Sequence, residues 1–211
     1  MKKLESSFKN MAIVLTAVAV VAGLLLGYVN QVTAEPIAQA NAKALSDAIA
    51  LVVPGFDNEP AANPDTVEVD GVNYVVYKAT KGGQFIGAAV ESSANGFGGA
   101  FNVLVGFDAE GNIIDYSLLS HAETPGLGSK AADWFKKGSK GDITGRNPGK
   151  ASLSVSKDGG EIDAITASTI TSRAFLKAVN AAYAAYAKQN GIDAGDALNG
   201  TTGATSHVEQ N

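Results

Sequence analysis

Between Lys9 and Glu35 the chain carries no charged residue. Within that stretch, residues 11–29 read MAIVLTAVAVVAGLLLGYV, a run of 19 apolar or weakly polar positions. As an α-helix such a run spans about 28 Å, close to the hydrocarbon thickness of a bilayer. Lys2, Lys3 and Lys9 against Glu5 precede it, and the first charge after it is Glu35. Basic flanks stay on the cytoplasmic side. The sequence therefore predicts one membrane crossing, with the N-terminus in the cytoplasm and everything beyond Val29 outside. A cleaved signal peptide is the competing reading, with Val32-Thr33-Ala34 as its small-residue cleavage site. The apolar run exceeds the roughly 7–15 residues of a signal core, which favours a retained anchor. Gly23 and Gly27 form a G-x-x-x-G face on this helix, suited either to close helix contact or to lipid.

The remainder has the makings of one folded domain. Hydrophobic residues make up 45% of the 211 and charged residues 18%, enough apolar material for a core and too much for a disordered chain. The first 34 residues hold three lysines and one glutamate, so the net charge of −5 becomes −7 on the exported part. That balance argues against a nucleic-acid-binding face. There is no cysteine, and the histidines are His121 and His207. Disulfides, a thiolate nucleophile, cysteine-bound zinc, an ordinary iron–sulfur cluster and a CxxCH haem attachment are all excluded, and a histidine-rich metal site is out of reach. If the protein handles electrons, another cofactor must carry them.

Patterning predicts an α+β fold, a largely antiparallel sheet with packed helices, preceded by the single transmembrane helix. Residues 1–34 form the cytoplasmic N-terminus and anchor, 35–65 a helical connector, 66–190 the exported domain and 191–211 a mobile tail. Ile37, Leu45, Ile49 and Val52 recur at helical spacing until Pro54-Gly55. Val67 and Val69 alternate before Asp70-Gly71, and Val72, Tyr74 and Val76 after it, a hairpin signal. Gly82-Gly83 precedes a strand over residues 85–90, and residues 100–107 and 113–119 form a second hairpin around Glu110-Gly111-Asn112. A short helix fits residues 130–137, short strands fit 151–155 and 162–165, and a helix runs from about 170 to 188 with Phe175, Val179, Tyr183 and Tyr186 on one face.

Two segments hold more than a fold requires. The first reads His121-Ala122-Glu123-Thr124-Pro125-Gly126-Leu127-Gly128. Its glycines permit close backbone approach to a ligand and its proline stiffens the loop, although a plain turn would use the same residues. Gly126, Gly128 and Ala131 spell the dinucleotide fingerprint, but no parallel βαβ unit surrounds them. His121 and Glu123 begin a deaminase-type H-x-E whose cysteine ligands do not exist here. The second segment crowds Thr166, Ser168, Thr169, Thr171 and Ser172 at the start of the last helix. Simple N-capping explains hydroxyls there, and so does an anion site built on free amides and the positive end of the helix dipole.

Asp163-x-x-Thr166-Ala167-Ser168-Thr169 resembles the flavinylation motif D-x-x-[ST]-G-A-T, in which a dedicated flavin transferase joins the last threonine to FMN through a phosphoester. Thr169-Ile170-Thr171-Ser172 matches the T-x-T-S continuation, residues 121–128 the H-x-E-T-P-G-L-G segment, and Gly96-Phe97-Gly98-Gly99-Ala100 the G-[YF]-G-G-x element of the same family. With the anchor, the chain resembles the G subunits of Rnf electron-transport complexes and, more distantly, the C subunits of sodium-translocating NADH:quinone reductases. Ala167 stands where the family has glycine, and Ser168 where it has alanine.

The resemblance implies FMN covalently attached at Thr169, and no metal. It implies that Asp163 and Thr166 shape the site for the transferase, and that Ala167, Ser168, Thr171 and Ser172 surround the phosphate. Glu123, Thr124, Pro125, Gly126, Leu127 and Gly128 would lie along the isoalloxazine, while Gly98 and Gly99 let a backbone pass near the ribityl chain or ring. Trp134 reads more readily as a core residue than as a stacking partner. The chain shows no acid/base pair or nucleophile of its own. The implied protein is an electron-relay component in the bacterial inner membrane, its main domain periplasmic, with the other Rnf-type subunits as partners and a complex that couples ferredoxin:NAD electron transfer to ion transport. A stand-alone exported flavin carrier and an anchored assembly module without flavin remain the alternatives.

Overall fold

The computed structural model describes residues 8–198. The expected cytoplasmic residues 1–7 and most of the expected tail, 199–211, lie outside the described residues. The chain divides into two compact units, the boundary falling between Ala44 and Leu45. The first is helix α1, Phe8–Val52, whose last turns belong to the second unit. The large apolar side chains of α1 from Met11 to Val32 are exposed, and it is the one helix among the described residues long and apolar enough to cross a membrane. Helical structure continues through Pro36 to the Pro54-Gly55 turn, where Gly55 adopts φ 92°.

The second unit is an antiparallel meander in the order β1-β2-β3-β4-β5. Its strands are β1 Asp65–Val69, β2 Val72–Lys81, β3 Gln84–Asn95, β4 Ala100–Asp108 and β5 Ile113–Ser120. Both expected hairpins are present, with Val69 opposite Val72 across Asp70-Gly71 and Phe107 opposite Ile113. β3 runs five residues beyond its expected end, through a stretch of Glu, Ser, Ala and Asn with weak strand preference. Its ladder with β4, from Glu91–Leu104 to Asn95–Ala100, supplies the pairing that local preference lacks.

Alternating side chains send the sheet's two faces into two cores. On one face Ile49, Val52 and Val53, at the end of α1, pack with Tyr77, Ala79, Ala89 and Leu104. The part of the connector nearest the domain is thus a layer of the domain itself. On the other face lies α3, Thr169–Gln189, which buries Phe175, Val179, Tyr183 and Tyr186 against Val76, Val90, Val105 and Phe107. The rings of Phe175 and Phe135 stack at 4.3 Å, and Tyr116 meets Phe175 edge-on. The Tyr116 hydroxyl donates to the Ala131 carbonyl (2.6 Å) and accepts from the Phe135 amide (3.2 Å). This ties β5 to α2, Ala131–Trp134.

Three expectations are corrected. The helix over residues 130–137 shrinks to a 3-10 turn at Gly128–Lys130 and the single turn of α2. Phe135 swings into the core instead of continuing it. The strands over 151–155 and 162–165 reduce to one parallel bridge between Val155 and Ile162. Their apolar residues Leu153, Val155, Ile162 and Ile165 are buried beside α3 rather than paired in the sheet. The beginning of the tail carries a further 3-10 turn, Gly195–Leu198, with Ala197 buried.

Burial, followed by the nearby Asp108 carboxylate, pushes the Tyr186 hydroxyl up to about 12, and burial also raises that of Tyr116. A phenol whose folded pKa lies above the unfolded value near 10 binds its proton more tightly when folded, so its contribution is lost as pH rises. Urea unfolding should therefore show full stability up to about pH 10 and a decline between about pH 10 and 12. Tyr186→Phe should flatten that decline.

Candidate functional site

The β3–β4 turn, the loop after β5 and the start of α3 converge at one end of the domain. The buried Glu123 carboxylate joins them. Its Oε1 accepts from the Gly98 amide at 3.2 Å, and its Oε2 accepts from the Thr171 hydroxyl at 2.8 Å. Among the described residues no cation lies within 4.0 Å of it. Neutral donors from two separate segments therefore hold a carboxylate that would otherwise be costly to bury. Glycine is required around it. A Cβ at Gly96 or Gly128 would overlap the Glu123 carboxylate, and one at Gly98 would overlap the Ala122 carbonyl.

Most of the hydroxyls at the helix start do not cap it. No side chain caps α3. Thr171 is committed to Glu123, and Ser172 Oγ accepts from the Ile165 amide (2.9 Å) while donating to the Ser168 carbonyl (3.0 Å). These bonds fold residues 165–168 back against the helix. Trp134 anchors the same segment from the other side, its indole N–H donating to the Asp163 carbonyl at 2.8 Å. Among the described residues the amides of Thr169, Ile170 and Thr171 meet no acceptor. Three donors and the dipole of a 21-residue helix thus face outward at Thr169. Ala167 takes the left-handed conformation, φ 62°. That geometry is costly for alanine and free for the glycine usual at this place in the motif.

Between these segments opens a cleft of about 440 Å³, within the range of small-molecule sites. Glu123, Thr124, Leu127 and Gly128 form one wall, and residues 167–171 the other, with Phe97 at the edge. Phe97, Leu127 and Ile170 are 71%, 41% and 53% exposed, three large apolar side chains left unburied around one opening. Thr169, half-buried, lies in this wall. An apolar mouth beside an anion-binding helix start fits a planar aromatic ring carrying a phosphate.

Of the expected site residues, Glu123, Thr124, Leu127, Gly128, Ala167, Ser168, Thr169 and Thr171 line the cleft. Pro125 and Gly126 are exposed outside its lining, as are Asp163 and Thr166, while Ser172 is buried behind it. Gly98 and Gly99 belong to the adjoining turn, where they accommodate the loop after β5. Two further lining residues, Phe97 and Ile170, occupy motif positions to which the sequence attaches no role. A third residue has no sequence signal at all. Lys157, in the 3-10 turn Ser156–Asp158, donates from Nζ to Thr169 Oγ1 at 3.3 Å. Gly126, Gly128 and Ala131 sit after an antiparallel strand, so the dinucleotide fingerprint has no βαβ unit around it.

Fold and cleft define the chain as a flavin-type binding domain behind an apolar helix, and comparison with known proteins agrees. Residues 96–184 match the family model of the FMN-binding domain, and residues 1–52 that of the RnfG N-terminal region. The chain is 36% identical over 169 residues to the G subunit of an ion-translocating oxidoreductase complex from Cereibacter sphaeroides, covering 77% of this chain and 76% of the relative. It is 36% identical over 166 residues to the corresponding G subunit of Yersinia pestis (74% and 78%) and 33% identical over 194 residues to that of Stutzerimonas stutzeri (87% and 82%). The chain belongs to the family of G subunits of Rnf-type ion-translocating oxidoreductase complexes.

Removing the central carboxylate strands the Gly98 amide and the Thr171 hydroxyl. Glu123→Ala should cost about 2–4 kcal/mol in urea unfolding. Ala167→Gly should add about 0.5–1 kcal/mol by relieving the left-handed strain, the gain being offset in part by the entropy of the unfolded glycine.

Proposed function

We propose that the protein is the membrane-anchored flavoprotein component of an Rnf-type complex, relaying electrons through FMN joined to Thr169 by a phosphoester. In this reading the N-terminus is cytoplasmic and the main domain periplasmic. A flavin transferase matures the protein, and the complex couples ferredoxin:NAD electron transfer to ion movement. The observation that carries the proposal is the position of Thr169. It is the first residue of α3, its neighbours' amides lack acceptors, and it lines a cleft with an apolar mouth. Bound FMN would supply one- and two-electron chemistry, which a chain without cysteine has few other means to provide.

The residues divide the work. The amides of Thr169, Ile170 and Thr171 would stabilise the phosphate charge. Phe97, Leu127 and Ile170 would cover the ring and exclude water from its faces, while Thr124 offers a polar contact at the wall. Glu123 holds the two walls at a fixed separation and need not touch the cofactor. Asp163 and Thr166, exposed outside the cleft, are available to the transferase. Attachment suits an exported protein, because a freely dissociating flavin would be lost outside the cytoplasm.

Co-expression with a flavin transferase should give a protein whose flavin fluorescence survives denaturing electrophoresis and whose mass rises by one FMN less water. Thr169→Val should abolish both signals and leave the far-ultraviolet circular dichroism unchanged. Absence of bound flavin from protein made in its own host would instead favour an assembly module.

A further inference from the structure

Helix start, cleft and motif leave one feature unused, a cation placed at the hydroxyl that the flavin reading makes the attachment point. Lys157 Nζ lies 3.3 Å from Thr169 Oγ1. The two residues are 12 apart in sequence, and the contact is built by the turn between them. The Asp158 amide donates to the Val155 carbonyl (2.8 Å), and Gly159, at φ 85°, closes the turn with its amide on the Ser156 carbonyl. The Ser156 amide donates to the Ile162 carbonyl (2.8 Å), beside the Val155–Ile162 bridge.

A second clamp fixes the turn to the helix. Asp158 receives a two-pronged hydrogen bond from Arg173, 2.8 Å from Nε and 2.6 Å from the terminal nitrogen. Arg173 stands one helical turn beyond Thr169. The Arg173–Asp158 fork therefore sets the residue before Asp158 against Thr169. It also balances the Arg173 charge. Lys157, by contrast, has no carboxylate within 4.0 Å among the described residues. Its side chain is exposed, so nothing in the core requires it.

We propose that Lys157 is the charge partner of the phosphate carried by Thr169, positioning the incoming flavin phosphate and neutralising the ester once formed. The proposal rests on the reading of Thr169 as the attachment site. Attachment exchanges a phosphoanhydride bond of an activated flavin nucleotide for the Oγ1–P bond. It releases a nucleoside monophosphate and the hydroxyl proton, and leaves one negative charge on the ester. Lys157 supplies the matching positive charge from outside the helix, and the amides of Thr169, Ile170 and Thr171 supply the dipoles from within it.

The test is the initial rate of flavin incorporation into the full-length chain at limiting flavin transferase, read as in-gel flavin fluorescence per protein. Lys157→Gln should slow incorporation about tenfold, the scale of one charge-assisted hydrogen bond. Lys157→Glu should slow it further, and Lys157→Arg should stay within about twofold of wild type. The wild-type rate should fall with added salt more steeply than that of Lys157→Gln. Unchanged melting of the flavin-free variants separates the charge effect from misfolding. Wild-type incorporation with Lys157→Gln equally fast, or with Lys157→Arg as slow as Lys157→Gln, overturns the role of Lys157 and leaves the attachment site standing. A wild-type chain that takes up no flavin overturns both.

Discussion

The site depends on one buried carboxylate. Glu123 receives the Gly98 amide on one oxygen and the Thr171 hydroxyl on the other, and so joins the β3–β4 turn to the start of α3 through the loop after β5. Each of these segments is short and irregular, with little means of holding its own shape. Burying a charge among them forces the donors into place, because an unsatisfied carboxylate there would cost more than the ordering of the loops. The glycines at 96, 98 and 128 follow from the same requirement, since side chains at those positions would occupy the space of Glu123 or of the Ala122 carbonyl.

The last helix builds both the core and the site. Its apolar stripe fills the core with Phe175, Val179, Tyr183 and Tyr186. Its first turn is kept uncapped, and the hydroxyls that would ordinarily cap it are diverted. Thr171 goes to Glu123, Ser172 to the segment before the helix, and Thr169 to Lys157. Trp134 and Arg173 brace the same region through the Asp163 carbonyl and the Asp158 carboxylate. Rigid surroundings thus present a polar, electropositive opening beside exposed apolar side chains, the combination that a ring bearing a phosphate requires.

Much of this was legible in the residues. The hairpins followed from alternation around Asp70-Gly71 and Glu110-Gly111-Asn112, and α3 from its 3.6-residue stripe, because those signals are local. The end of β3 was not legible, since only its pairing with β4 makes a strand of Ser, Ala and Asn. Nor was the segment from 151 to 165, where apolar alternation reflects burial beside α3 and not a ladder. At the site the motifs located the cleft and Thr169. They assigned Glu123 to the flavin ring, whereas its carboxylate is spent on the protein's own loops. Lys157 carried no pattern, because its role arises from a fork between Asp158 and Arg173 that exists only in three dimensions.

At the centre stands one hydroxyl, that of Thr169, presented by this architecture for attachment of flavin. Proteolysis of the chain purified from its own host, followed by tandem mass spectrometry of the flavin-bearing peptide, tests this most directly. A single modified residue, Thr169, is the expected result, with Thr166, Ser168, Thr171 and Ser172 unmodified. A flavin phosphoester mapped to any of those four residues, or to a different segment, would contradict it.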